Sequence, residues 1–129
     1  MSKTRIKDIK QGDIFMVNLS DGKESEEQGV RPCVCLSTDS LNKNRSNIII
    51  APITSKNKKK MINHYIIPKD RYDFFIYENN TILLECLRDI SIKRLERKLG
   101  CLGDDDICNI VNRTFYNFIE YTENIDSKK

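Results

Sequence analysis

No Cys-x-x-Cys pair occurs in this 129-residue chain, and it has a single histidine. A structural zinc site takes about four sulfur or nitrogen ligands at characteristic spacing, so no metal or other cofactor is expected. The five cysteines, Cys33, Cys35, Cys86, Cys101 and Cys108, are odd in number. Cys33 and Cys35 stand two apart in a strand-like run, where both point to one face and cannot comfortably bridge each other. Buried free thiols in a reducing compartment are the expectation. No apolar run approaches the roughly 20 residues of a membrane span, and no N-terminal segment reads as a signal peptide. A cytoplasmic protein with no membrane partner is therefore expected. Repeats and low-complexity segments are also missing, and 129 residues leave room for one modest core rather than two.

What is present is mixed charge and a set of short apolar runs. Hydrophobic residues make up 39% and charged residues 32%, with a net charge of +3. So small a net charge says little about partners, but its distribution says more. Lys56, Lys58, Lys59 and Lys60 crowd one short stretch. Alone this reads as a solvated loop; beside a phosphate site it would steer phosphate.

The β-prone runs at residues 14–19, 30–36, 47–54, 64–67 and 81–88 read as strands. A last short strand is expected at 98–102, and a short helical stretch after Ser91. Residues 38–46 read as polar connection, and 70–80 as a mixed segment with room for one helical turn. Asp104 is the expected cap of a terminal helix in which Ile107, Ile110, Val111, Phe115, Phe118 and Ile119 recur at three- and four-residue spacing. Five or six strands and one amphipathic helix predict a mainly β fold, a small barrel with the helix packed outside. Residues 1–8 read as an N-terminal extension, 9–122 as the single domain, and 123–129 as a frayed tail.

Two motifs place polar groups at the ends of apolar strands. Gly29-Val30-Arg31-Pro32 precedes Cys33-Val34-Cys35-Leu36, and Pro52-Ile53-Thr54 closes Ile48-Ile49-Ile50-Ala51. A guanidinium and a hydroxyl brought together on adjacent strands can hold a phosphate in charge-assisted hydrogen bonds. Each has a plainer reading. Arg31 alone fits an ion pair with Glu26 or Glu27, and Thr54 alone fits a turn residue. His64 admits a general-base reading, with packing or RNA contact preferred. Glu85, in an aliphatic run, reads as a structural carboxylate partnered by Arg88 or Lys10. Phe15, Tyr65 and Tyr72 are candidate base-stacking residues, with core packing preferred for Phe15.

The ordered set Ile9-Lys10-Gln11-Gly12-Asp13-Ile14-Phe15, Ser25-Glu26-Glu27-Gln28-Gly29-Val30-Arg31-Pro32 and Ile48-Ile49-Ile50-Ala51-Pro52-Ile53-Thr54-Ser55 resembles the MazF/PemK family of toxin endoribonucleases. Asn63-His64-Tyr65, Leu83-Leu84-Glu85-Cys86-Leu87-Arg88 and Lys93-Arg94-Leu95 follow in the family's order. The resemblance implies an SH3-like barrel, a homodimer, and metal-independent, sequence-selective cleavage of single-stranded RNA. It also implies a MazE-like antitoxin whose C-terminal segment blocks the RNA groove. Arg31 and Thr54 fall on the family's catalytic pair. Ser25, Glu26, Lys56, Lys58, His64 and Tyr65 are the candidate RNA contacts. Cys86 stands where the family often has Gln, and the loop reads Ser-Glu-Glu-Gln-Gly where many members have Ser-Glu-Gln-Gly-Gly. Two other readings compete. One is a barrel toxin that acts by protein contact, of the gyrase-poison type, indifferent to Arg31 and Thr54. The other is a barrel that grips RNA without cutting it.

Overall fold

The computed structural model describes residues 6, 8–20, 29–56, 61–75 and 77–120. The apolar runs become strands β1 (Asp13–Asn18), β2 (Val30–Cys35), β3 (Asn47–Thr54), β4 (His64–Pro68), β5 (Asn79–Leu83), β6 (Arg88–Ser91) and β7 (Leu95–Cys101). Two helices join them, α1 (Asp39–Asn44) and α2 (Asp104–Arg113). The strands make one seven-stranded antiparallel sheet in the order β4-β5-β3-β2-β1-β7, with β6 also paired to β3. The result is the mainly β, barrel-like architecture that the pattern predicts.

Successive strand side chains point to opposite faces of the sheet, and buried residues on the two faces form two clusters. Val34 and Leu36 join Ile14, Ala51, Ile53, Ile82 and Ile110 of α2 in one cluster. Cys33 and Cys35 join Phe15, Val17, Ile48, Ile50 and Leu95 in the other. Phe15 is therefore core and not a stacking platform, at 0% exposure. Cys33 and Cys35 share a face as expected. The expectation of buried thiols holds for these two only: Cys86 is partly buried, and Cys101 and Cys108 are exposed. Burial raises the Cys35 thiol above its ordinary pKa, and hydrogen bonds with Ser37 and Asn42 oppose the rise.

The structure breaks the run at 81–88 that reads as one strand. β5 ends at Leu83, a 3-10 turn spans Leu84–Cys86, and β6 begins at Arg88. The register shows why. Ile48 pairs with Ile90 on β6, a register that would set Ile53 opposite Glu85, yet Ile53 faces Ile82 on β5. The turn absorbs the three-residue difference. β7 likewise starts earlier than residue 98, at Leu95, after a short 3-10 turn over Ile92–Arg94 whose first turn Ser91 caps through Lys93 N–H. Helix α1 falls in the connection expected to be irregular. Thr38 caps it, and the buried Asn42 donates to the Ile9 and Ser37 carbonyls. So short a polar helix has too little apolar periodicity to announce itself.

The terminal helix also departs in detail. Gly103, not Asp104, holds the cap position, and Asp104, Asp105 and Asp106 fill the first turn, where carboxylates favour the helix dipole. The helix tightens to a 3-10 turn at Thr114–Asn117, and Thr114 Oγ1 donates to the Val111 carbonyl at 2.6 Å. With about three residues per turn instead of 3.6, the apolar stripe loses its register. Ile110 is fully buried, while Phe115, Phe118 and Ile119 are 56%, 80% and 57% exposed.

Gly12 fastens α2 to the sheet. Its φ of +96° lies in the left-handed region, its N–H donates to the Cys35 carbonyl at 2.7 Å, and its carbonyl accepts from Leu102 N–H. A Cβ here would run into the Ile107 side chain. Gly12→Ala is expected to cost about 1–3 kcal/mol of stability through backbone strain and overpacking, measurable by urea denaturation. In thiol labelling of the native protein, Cys33 and Cys35 are expected to stay unmodified until the chain is unfolded, as peptide mapping would show.

Candidate active site

Pro32 organises the site locally. The β2–β3 ladder runs from Cys35 opposite Ile50 to Cys33 opposite Pro52. Pro32 then has no N–H to extend it. Two residues beyond that last pair, β2 reaches Arg31 and β3 reaches Thr54. Both line one cleft of about 580 Å³. Its floor is crossed by β7, β1, β2 and β3: Pro32 pairs with Met16, Met16 pairs with Arg97, and all three residues face the cleft. One wall comes from the segment before β5, through Phe74, Phe75 and Tyr77, and from Asn80 at the start of β5 itself.

The groups differ in their constraints. Arg31 is half-buried on β2, opposite Val17. Thr54 is only 1% exposed, and its Oγ1 accepts the Lys56 N–H at 3.1 Å. That bond uses a lone pair and leaves the hydroxyl proton to donate elsewhere. Lys98 lines the cleft and pairs with the buried Asp13 at 3.2 Å, while the other Asp13 oxygen accepts the Lys10 N–H. Arg97 is exposed. Among the described residues the lining thus carries Arg31, Arg97 and Lys98 but no carboxylate, imidazole or thiol. An environment of one charge sign bordered by aromatic rings suits a polyanion bearing bases. A larger hollow of about 890 Å³ beside Pro68–Asn79 mixes Lys69 and Arg71 with Asp70, Asp73 and Glu78, and lacks that bias.

The other candidates scatter. His64 is buried on β4 with Nε2 3.0 Å from Glu85 Oε2, outside the cleft lining. His64 is thus the partner of Glu85, one the sequence did not single out. Tyr65 and Tyr72 are committed to α2: their hydroxyls donate to Asp106 Oδ1 and Oδ2 at 2.6 and 2.5 Å. Arg71 reaches Oδ1 at 2.8 Å. Lys56 is exposed just after Thr54. Ser25, Glu26, Lys58, Lys59 and Lys60 lie outside the described residues, as do 1–5 and 121–129. Sequence reasoning overlooked Arg97, Phe74, Tyr77 and Asn80. The one available signal was aromatic clustering at Phe74, Phe75 and Tyr77 in a segment otherwise read as mixed, with room for one helical turn.

Asp106 deserves its buried position only because it is fully paired. Burial pushes its carboxyl up, but hydrogen bonds from Tyr65 and Tyr72 and the charge of Arg71 outweigh this and hold it below the ordinary value. Conversely, burial and the Asp106 carboxylate raise both tyrosine hydroxyls.

The barrel and its cleft, whose described charged groups are all cations, define a small, mainly β barrel-like protein. More narrowly, the chain belongs to the PemK-like, MazF-like toxins of type II toxin–antitoxin systems, whose family model matches residues 10–117. Solved structures share the fold. MazF from Deinococcus radiodurans is 17% identical, with a TM-score of 0.71 over 85% of this chain and 96% of that one. An endoribonuclease in complex with its cognate antitoxin from Mycobacterial species is 11% identical, with a TM-score of 0.68 over 88% and 99%. The Mycobacterium tuberculosis toxin MazF-mt6 is 14% identical, with a TM-score of 0.65 over 82% and 95%. At such identities the likeness is one of fold. No helix among the described residues is long and apolar enough to cross a membrane.

Asp106→Asn is expected to destabilise the protein by about 1–3 kcal/mol at neutral pH. A carboxyl more acidic in the folded chain contributes fully above about pH 4, the ordinary carboxylate value, and loses its contribution as pH falls through the lower folded value. The gap between wild type and variant should be constant from pH 7 to about pH 5 and close below about pH 4, as denaturation at several pH values would show.

Proposed function

We propose that the protein is an endoribonuclease toxin that cuts single-stranded RNA in the Arg31/Thr54 cleft, without metal, and is neutralised by a cognate antitoxin. The observation that carries this reading is the meeting of Arg31 and Thr54 in one cleft whose other charged groups among the described residues, Arg97 and Lys98, are both cations. Family membership supports it. So do the relatives: one similar structure is an endoribonuclease bound to its cognate antitoxin, and another is a MazE–MazF complex from Deinococcus radiodurans. Assembly as a homodimer belongs to the same proposal.

RNA brings its own nucleophile. The 2′-hydroxyl beside the scissile phosphate attacks phosphorus, the bond to the 5′-oxygen breaks, and the products are a 2′,3′-cyclic phosphate and a 5′-hydroxyl. Because attack is intramolecular, the substrate supplies much of the proximity. The protein must align the phosphate and stabilise the extra negative charge of the phosphorane. Arg31 presents two donors of its planar fork to non-bridging oxygens, and Thr54 donates its hydroxyl proton to a third atom. A guanidinium has a pKa above about 12 and does not readily act as a base. Arg31 therefore serves as an electrostatic clamp. Lys98 and Arg97 hold the flanking backbone, which makes binding salt-dependent.

Incubation with a long single-stranded RNA in EDTA, with mapping of 5′ ends, tests the proposal. Wild type should cut at a short recurring sequence and leave 5′-hydroxyl ends. Arg31→Ala should lose about a hundred- to thousandfold in rate, and Arg31→Lys should not restore it, because an ammonium lacks the fork. Thr54→Ala should lose less, about tenfold, with Thr54→Ser largely active. RNA left intact by wild type across varied sequences would overturn the proposal.

A further inference from the structure

We infer that Tyr77 is a stacking platform for one unpaired nucleobase next to the scissile phosphate; this rests on the cleft being the RNA site. Of the aromatic side chains in the cleft wall, Phe75 is 6% exposed and Phe74 is half-buried, whereas Tyr77 is 51% exposed. Phe74 and Phe75 are occupied with each other and with Tyr72, their rings 4.8–6.0 Å apart by centroid. Phe74 also fills the space over Gly100 of β7, where a Cβ would collide with its ring. These rings form the packed base of the wall, and Tyr77 presents an open face.

The backbone that carries Tyr77 is anchored. Asn80 is 3% exposed, and its Nδ2 donates to the Tyr77 carbonyl at 3.1 Å and to the Ile67 carbonyl on β4 at 3.3 Å. Asn80 is therefore a positioning residue that ties the start of β5 back to the segment bearing the ring. The neighbouring cations select the occupant. A ring sharing a cleft with Arg31, Arg97 and Lys98 meets a ligand carrying phosphates and flat, apolar-faced groups at once, which describes an RNA single strand. Duplex bases are already stacked on their neighbours and cannot present a free face, so the same contact favours unpaired RNA. Because every base has a π-face, this platform contributes affinity more than sequence choice.

The test uses a short single-stranded RNA with 2-aminopurine on either side of the mapped cut and the scissile 2′-hydroxyl replaced by hydrogen. Stacking on wild-type Tyr77 should quench the probe. Tyr77→Ala should abolish the quench and weaken binding by roughly 5- to 100-fold, while Tyr77→Phe behaves as wild type. On cleavable RNA, Tyr77→Ala should raise KM with kcat nearly unchanged, since a base stacks alike in ground and transition states. Unaltered thermal melting of Tyr77→Ala separates this from misfolding. Kinetics within about twofold of wild type, or a quench that survives Tyr77→Ala, would overturn the inference. If wild type cuts no RNA at all, the nuclease proposal fails separately. Binding of a mixed-sequence RNA carrying the same probe then decides for Tyr77: quenching lost on Tyr77→Ala upholds the platform, and its absence in wild type overturns it.

Discussion

The rest of the molecule depends on β3, which pairs with three other strands, β2 on one edge and β5 and β6 on the other. One edge meets β2 from Ile50 to Pro52; the other meets β6 from Asn47 to Ile50 and β5 from Ile53 to Thr54. Backbone polar groups buried in a barrel must be paired, so this strand dictates the register of everything beside it. The three-residue slip between its two partners on one edge forces the turn at Leu84–Cys86. The end of its ladder with β2 at Pro52 opens the space in which Thr54 and Arg31 face a cleft. Structure and candidate chemistry thus arise from one constraint.

Charge is sorted across the fold. Asp106, the buried carboxylate at the α2 end, gathers Tyr65, Tyr72 and Arg71 and fastens the helix to β4 and the segment after it. Asp13, the buried carboxylate under the cleft, holds Lys98 at 3.2 Å. The described cleft lining is left with cations alone. A carboxylate there would cancel the single sign of the lining, and an unpaired one in the core would be costly. Placing both beneath the surface with donors in reach avoids both penalties. Polar ties complete the docking of the C-terminal element. Arg113 donates to the Ile62 and His64 carbonyls and lies over the Tyr65 ring, and Asn117 donates to the Leu84 carbonyl.

Legibility varied with the range of the cause. Short β-prone apolar runs announced β1, β2 and β3, and Cys33 and Cys35 were read correctly as sharing a face. Arg31 and Thr54 were visible as polar residues ending apolar runs, and only their motifs, Val-Arg-Pro and Pro-Ile-Thr, raised them above ordinary surface residues. The break after Leu83 was invisible, because Leu-Leu-Glu-Cys-Leu contains no Gly, Pro, Asn or Asp to signal a turn and the turn is imposed by β3. Tyr65 and Tyr72, candidate base platforms in the sequence, bind Asp106 through their hydroxyls and lie outside the cleft lining, a placement no local pattern shows. Phe118 and Ile119 kept helical spacing in sequence but lost their face when the helix tightened at Thr114.

The sequence by itself determined that its short apolar runs form strands, that an amphipathic helix closes the fold near Asp104, and which two strand ends carry a cation and a hydroxyl. These follow from interactions within a few residues, such as side-chain periodicity, backbone propensity and helix-end electrostatics. Tertiary structure alone decided that Arg97 and Lys98 from β7 join Arg31 and Thr54, that Tyr77 rather than Tyr65 or Tyr72 presents an open ring beside them, and that His64 is turned to Glu85. Those meetings join residues far apart in the chain. They are set by ladder register and packing across the sheet, neither of which any short stretch of sequence contains.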